Sequence, residues 1–289
     1  MPRDGRWPTF FVIGAMKAGT TSLHSYLSEH PEIHMSPVKE PHFFTRPEDD
    51  PHPRRIGEPS DYMRLFASTV RVRGESSPTY TLYPRYKQVP ERIAQVIPDA
   101  KFIYLVREPV ARIVSHYLHN VAVERVQRDF ETEIGDIDDP ENEYMTPCFY
   151  ATQLEQYLRV FDRGSILVID QSDLLDNRDA CLRDVFAFLE VDECYSSPRF
   201  ALERGAARER RRYPRGYERF VDRASRSLLG TLPTGLRRSV RYAVERALWQ
   251  PVEPPVVSLR FRRKIMDVCA DEIDRLRAYT EKTFATWES

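Results

Sequence analysis

The sequence predicts an α/β fold: a P-loop-like parallel β-sheet flanked by helices on both faces, with a helical extension at the C-terminus. Three observations predict it. The runs Thr9–Ile13, Lys101–Val106 and Ser165–Ile169 are short, apolar and rich in β-branched and aromatic residues, and read as buried strands. Segments with helical apolar spacing alternate with them. The first strand leads into Gly14-Ala-Met-Lys-Ala-Gly19 and then into Thr20-Thr-Ser22, a strand, glycine-bounded loop and hydroxyl-rich helix start suited to a phosphate.

The elements follow in order. After the first helix, Val70–Gly74 alternates and predicts a second strand. Residues Pro84–Ile97 predict a helix stopped by Pro98. Lys101–Val106 is the central strand, and Pro109 suits the first turn of a helix running to about Val121. Leu154, Tyr157, Leu158 and Phe161 predict a helix over Ala151–Phe161, and Asp179–Leu189 predicts another. Phe261, Ile265, Val268, Ile273, Leu276 and Tyr279 predict a C-terminal helix within Ser258–Trp287. Thr45–Pro59, rich in Pro, Asp and Arg, predicts a mobile loop. The chain reads as one domain, residues 1–289, with a core over about 9–215 and an arginine-rich loop and helices over about 199–289.

Composition narrows the class. The 289 residues are 41% hydrophobic and 30% charged, which excludes disordered, collagenous and disulfide-scaffold chains. No apolar run approaches the roughly 18 to 20 residues of a membrane span, and the first eight residues hold no secretory apolar core. The four cysteines show no C-x-x-C spacing, and the expected location is a reducing cytoplasm. A net charge of -1 excludes a polycation. Only six of the 43 Lys and Arg residues are lysine, so a lysine kept inside a glycine loop raises a chemical question.

Gly14 and Gly19 have the separation of the nucleotide loop G-x-x-x-x-G-K-[ST], but Lys17 lies inside the loop and Thr20-Thr21 follow the second glycine directly. The central strand ends in Val106-Arg107, with no carboxylate placed to hold Mg²⁺ as a nucleoside triphosphatase requires. Arg107 stands at the carboxyl end of a strand, and Ser115 lies two helical turns further on. An arginine fork and a hydroxyl suit a phosphate monoester.

Together these residues resemble the sulfotransferases that use 3′-phosphoadenylyl sulfate (PAPS). Ile13–Leu23 looks like that family's 5′-phosphosulfate loop, and Leu105–Tyr117 looks like its 3′-phosphate motif. Ser36–Phe44 resembles the K-E-P-H-F-F segment of the bacterial and glycan-directed branch, related to heparan sulfate N- and 3-O-sulfotransferases. Gly74–Tyr80 resembles the block E-K-[ST]-P-x-Y, and Tyr150–Leu158, Ile166–Ile169 and Phe186–Leu189 are similar to later landmarks in the same order, so the resemblance spans about residues 9–215.

The resemblance implies that Lys17 stabilises charge on the leaving phosphate oxygen. It implies that Ala18, Gly19, Thr20, Thr21 and Ser22 form the phosphosulfate cradle. Arg107 and Ser115 would hold the 3′-phosphate, and Tyr150 would join the cofactor-binding residues. Glu40 matches the base of the glycan-directed branch, while His42 is the alternative, since many PAPS enzymes use histidine. Two departures stand out: Ser76 replaces the family lysine of E-K-[ST]-P, and arginines between Glu203 and Gly216 stand where the glycan branch has a lysine- and glycine-rich loop. Arg208 and Arg212 are expected to reach PAPS from that loop. The implied reaction moves a sulfuryl group from PAPS to a hydroxyl, in preference to an amine, of a carbohydrate, lipid or secondary-metabolite acceptor. It releases adenosine 3′,5′-bisphosphate and uses no metal; neither a nucleic-acid partner nor a transmembrane segment is expected. The alternatives are a small-molecule kinase sharing the first loop, a non-catalytic PAPS-binding module, or a nucleic-acid binder using the ten arginines of Arg199–Arg226. His30/His34 and His116/His119 have helix-compatible metal spacing but lack cysteine or acidic partners.

Overall fold

The computed structural model describes residues 7–46, 48, 55–123, 126, 128–201, 211–212 and 250–287. The chain divides into two compact units, one made of Met1–Ile113, Asp136–Gly205 and Ser258–Ser289, the other of Val114–Gly135 and Ala206–Val257.

The first unit is built on five strands: β1 (Phe10–Gly14), β2 (Ile33–Met35), β3 (Val72–Ser76), β4 (Lys101–Val106) and β5 (Ile166–Asp170). All pair in parallel, in the order β2-β3-β1-β4-β5. Phe10 of β1 faces Gly74 on one side and Lys101 on the other. Every residue of β1 is buried, as a continuous apolar run in the middle of a covered sheet should be. The helices among the described residues are α1 (Thr20–Leu27), α2 (Pro59–Arg64), α3 (Val89–Ala94), α4 (Pro109–Ala122), α5 (Phe130–Ile134), α6 (Tyr150–Leu158), α7 (Gln171–Asp176), α8 (Arg178–Leu189) and α9 (Leu259–Thr280), of which α5 and the end of α4 belong to the second unit. The expected α/β class, parallel sheet and C-terminal helix are all present.

Several boundaries differ from expectation for identifiable reasons. The helix expected over Pro84–Ile97 is confined to α3, because Pro90 fits only a first turn and Gln88 before it is left-handed at φ 59°. β3, Val72–Ser76, is shifted two residues toward the C-terminus from the expected strand Val70–Gly74. The C-terminal helix stops at Thr280, where Glu281 turns left-handed at φ 59°, and a 3-10 turn follows over Ala285–Trp287. Within the stretch 45–59, the described Arg55 donates to the carbonyl of Thr45 at 2.9 Å, and the Ile56 amide donates to Pro41 at 3.0 Å. α9 docks on α6 through Glu272, whose carboxylate accepts from the Thr152 amide and hydroxyl at 2.9 and 2.6 Å. No helix among the described residues is long and apolar enough to cross a membrane.

An aromatic cluster fixes the segment after β2. Phe43 stacks on Tyr62 with centroids 4.2 Å apart, and Phe44 meets Phe11 edge-on at 5.7 Å. Such contacts add about 0.5–1.5 kcal/mol each beyond burial and hold residues 41–45 against the sheet. In the second unit, Tyr117 packs edge-on against Phe130 at 5.2 Å and donates its hydroxyl to the Arg128 carbonyl at 2.9 Å. Short antiparallel strands β6 (Arg211–Arg212) and β7 (Gln250–Pro251) also belong there.

β3 carries a wholly buried acid. Glu75 accepts hydroxyl bonds from Tyr62 and Ser77, both at 2.6 Å, and from Tyr80 at 2.9 Å. Burial pushes its carboxyl up to about 7, against the pull of those three bonds. A carboxyl whose folded pKa exceeds its unfolded value of 4.5 stabilises the fold fully below that value, and this contribution is lost as pH rises through 7. The loss approaches roughly 3 kcal/mol at one pKa unit per 1.36 kcal/mol. We expect urea unfolding from pH 4.5 to 7.5 to show this fall in the wild type relative to Glu75→Gln. Parallel stability curves for the two proteins would contradict it.

Candidate active site

The site forms where the strand order reverses. From β1 the chain passes to β2 and β3 on one side of the sheet, then crosses to β4 on the other. The loops after β1 and β4 therefore lie together at the carboxyl ends, where open α/β sheets take ligands.

The first loop is tightly determined. Gly14 has φ 157°, and a Cβ there would lie 2.0 Å from Oγ1 of Thr81, which itself donates to the Ile13 carbonyl at 2.9 Å. Only glycine fits. The Ala15 amide donates to Leu105 of β4 at 2.5 Å, and the Ala18 amide closes the loop onto Ala15 at 3.1 Å. Gly19, left-handed at φ 102°, caps α1 without a side-chain bond, and the first turn of α1 holds no acidic residue. The amides of Ser22 and Leu23 turn back to the Gly19 carbonyl at 3.0 and 3.1 Å. The earliest helical amides have no intrahelical acceptor and carry the positive end of the helix dipole, so this terminus suits an anion. Thr20 is buried, Ser22 half-buried and Thr21 exposed.

Lys17 occupies the middle of the loop in a left-handed conformation, φ 71°. Its carbonyl accepts from Nη1 of Arg107 at 3.2 Å, and the Arg107 carbonyl in turn accepts from the hydroxyl of wholly buried Tyr150 at 2.6 Å. Burial lowers the Arg107 pKa, but a guanidinium stays charged. Lys17 and Arg107 are thus brought together, while the hydroxyl of Tyr150 is spent on Arg107 and acts on the site through it.

Glu40 and His42 both have left-handed backbones, at φ 62° and 53°. Non-glycine residues pay about 1–3 kcal/mol for such conformations, which collect at functional sites. Oε1 of Glu40 pairs with Lys39 Nζ at 2.5 Å, and Oε2 lies 3.9 Å from Nε2 of His42. The side chain of Glu40 is 42% exposed and that of His42 only 5%. His42 Nδ1 is hydrogen-bonded to Oγ1 of Thr79 at 3.0 Å. Burial pushes the Glu40 carboxyl up, but the Lys39 charge and hydrogen bond, with His42 and Lys17, outweigh it and hold the carboxyl below its ordinary value. The charge of Lys17 therefore reaches Glu40, so the loop and the carboxylate share one site.

Ser115 is buried on α4, in the part that belongs to the second unit. Arg208 lies outside the described residues, and Arg212 is described only as backbone of β6. Among the described residues no group of three or more His, Cys, Asp or Glu is placed to hold a metal ion. The sequence reading missed His24, whose Nδ1 is hydrogen-bonded to Oγ of Ser76 at 2.9 Å. Its helix-face neighbours Thr20, Thr21, Leu27 and Ser28 are mostly polar, so the sequence held no signal for it.

The model of the Sulfotransferase family matches residues 8–195. The human bifunctional heparan sulfate N-deacetylase/N-sulfotransferase 2 is 26% identical over 203 residues, covering 64% of this chain and 22% of that protein. The mouse heparan sulfate glucosamine 3-O-sulfotransferase 3B1 is 28% identical over 199 residues, covering 67% and 48%. The chain thus spans between about a fifth and a half of the length of these curated relatives. A crystal structure of a sulfotransferase from Alicyclobacillus acidocaldarius aligns with TM-score 0.72 at 25% identity, over 98% of this chain and 99% of that one. The mouse sulfotransferase SULT7A1 complexed with PAP shares the fold at TM-score 0.50 and 14% identity, over 95% and 88% of the two chains.

Proposed function

Because this chain belongs to the Sulfotransferase family, we propose that it transfers the sulfuryl group of PAPS to a hydroxyl, in preference to an amine, and releases adenosine 3′,5′-bisphosphate in the cytoplasm. Carbohydrate, lipid and secondary-metabolite acceptors fit the reading, and the heparan sulfate relatives favour a carbohydrate. The observation that carries it is the union of an uncapped helix N-terminus, Lys17 and Arg107 with a carboxylate that feels the Lys17 charge.

The residues fit the proposed co-substrate. The α1 terminus has neither a capping side chain nor an acid to compete with phosphate, and two cations flank it. When bound, PAPS supplies an activated sulfuryl group. The amides of Gly19, Thr20 and Thr21, with Ala18 and the Ser22 side chain, would hold its 5′ side, and Arg107 and Ser115 its 3′-phosphate, with Arg208 and Arg212 as further candidates. Lys17 would offset the negative charge that grows on the leaving oxygen. Glu40, exposed and held ionised, would take the acceptor proton, and buried His42 would orient it.

Arg107→Ala tests the donor site. Loss of a charge-assisted phosphate contact costs about 1.5–3 kcal/mol, so calorimetry should show bisphosphate affinity about 10- to 150-fold weaker. Unchanged affinity would remove Arg107 from the 3′-phosphate. A PAPS-dependent transfer screen that follows the mass gain of one sulfate tests the activity itself.

A further inference from the structure

We infer that His24 is a positioning residue for Glu40, acting through Ser76. The inference rests on the reading of Glu40 as the base. His24 lies on α1, the same helix whose N-terminus forms the proposed phosphate cradle. Its Nδ1 is hydrogen-bonded at 2.9 Å to the hydroxyl of Ser76, a wholly buried residue at the end of β3. The carbonyl of Ser76 accepts the backbone amide of Glu40 at 3.0 Å. One residue therefore receives the cradle helix through its side chain and the base through its main chain.

The link has work to do at this point. Glu40 sits at φ 62°, a conformation that persists only where surrounding bonds over-determine it. The Glu40 amide bond to Ser76 is one such restraint, and the residue that supplies its acceptor also bonds His24 through its hydroxyl. Burial, then the Lys39 charge, bring the His24 imidazole down to about 4 against the opposing pull of Glu40, so near neutral pH the ring is uncharged. The link is thus a dipolar brace that adds no cation beside the Lys39–Glu40 pair. It sets the distance between donor cradle and base, and an ångström of misplacement in such a geometry costs up to about 10²-fold in rate.

The test uses the full chain, with kcat measured on an acceptor that the wild type sulfates and Kd measured for adenosine 3′,5′-bisphosphate. His24→Leu removes the hydrogen bond. It should lower kcat about 10- to 100-fold while bisphosphate Kd stays within about twofold. His24→Asn places an amide nitrogen near the position of Nδ1 and should recover most of that kcat. Ser76→Ala should match His24→Leu, and the double variant should be no worse than either, because both break one bond. Full kcat in both His24→Leu and Ser76→Ala overturns the inference, as does an Asn variant as impaired as the Leu variant. Should His24→Leu fail to fold, Ser76→Ala and His24→Asn carry the same decision. A wild type whose turnover is unchanged by Glu40→Gln overturns the reading of Glu40 beneath the inference. Turnover that needs Glu40 but ignores His24 and Ser76 overturns the inference alone.

Discussion

Replacing Glu40 with glutamine should lower kcat on the order of 10²–10⁴-fold and leave bisphosphate affinity near that of the wild type. The amide keeps the size of the side chain and can still accept from Lys39, so the local fold survives. What it loses is the capacity to take a proton. The pH profile separates Glu40 from His42. The Glu40 carboxyl lies below its ordinary 4.5, held there against burial by Lys39, His42 and Lys17, so it stays ionised through pH 5–8. An acid limb of kcat/KM belonging to Glu40 must then fall below 4.5, and a limb well above that value belongs to another base. Such a higher limb that vanishes in His42→Ala, together with a fully active Glu40→Gln, would transfer the role to His42.

Lys17→Ala and Lys17→Arg should both lose most activity, on the order of 10²-fold or more, with the loss mainly in kcat. The side chain is proposed to meet charge that grows only as the sulfur–oxygen bond breaks. Arginine keeps the charge but brings a planar fork to a loop whose backbone is already left-handed. Neither change adds backbone strain, since both residues carry a Cβ as lysine does. The contact that braces the loop uses the Lys17 carbonyl, which every substitution retains. Melting temperatures should accordingly stay close to that of the wild type. A stable Lys17→Arg protein with near-normal kcat would make Lys17 a binding cation only.

The parts of the site that were legible in the sequence are those tied to local chain geometry. Lys17 follows β1 and Arg107 follows β4, so recognising two apolar runs places both residues at strand ends. Glu40 and His42 came from a motif resemblance, and their left-handed backbones left no mark on the sequence. The rest depends on distant partners. His24 meets Ser76 across 52 positions, and Tyr62 reaches Glu75 from a helix of only six residues, too short to show a period. β2 has three residues and was invisible for the same reason. The misjudged α3 is a different case: Pro90 was present in the sequence and marks a helix start, which a count of apolar spacing alone passes over.

The bond from the Ala15 amide to Leu105 has a consequence for biosynthesis. β1 is flanked by β3 and β4, both of which emerge from the ribosome well after it. At about 5–20 residues per second, Gly14–Gly19 waits roughly 5 to 20 s for the strand that gives the loop its shape. Through that interval Phe10-Phe-Val-Ile13 is an unpaired apolar strand, the kind of segment that chaperones shield and that pairs wrongly when crowded. The proposed donor site is therefore among the last features of this region to mature. A nascent chain halted before Val106 would carry the whole glycine-loop signature and yet lack the strand that gives the loop its shape.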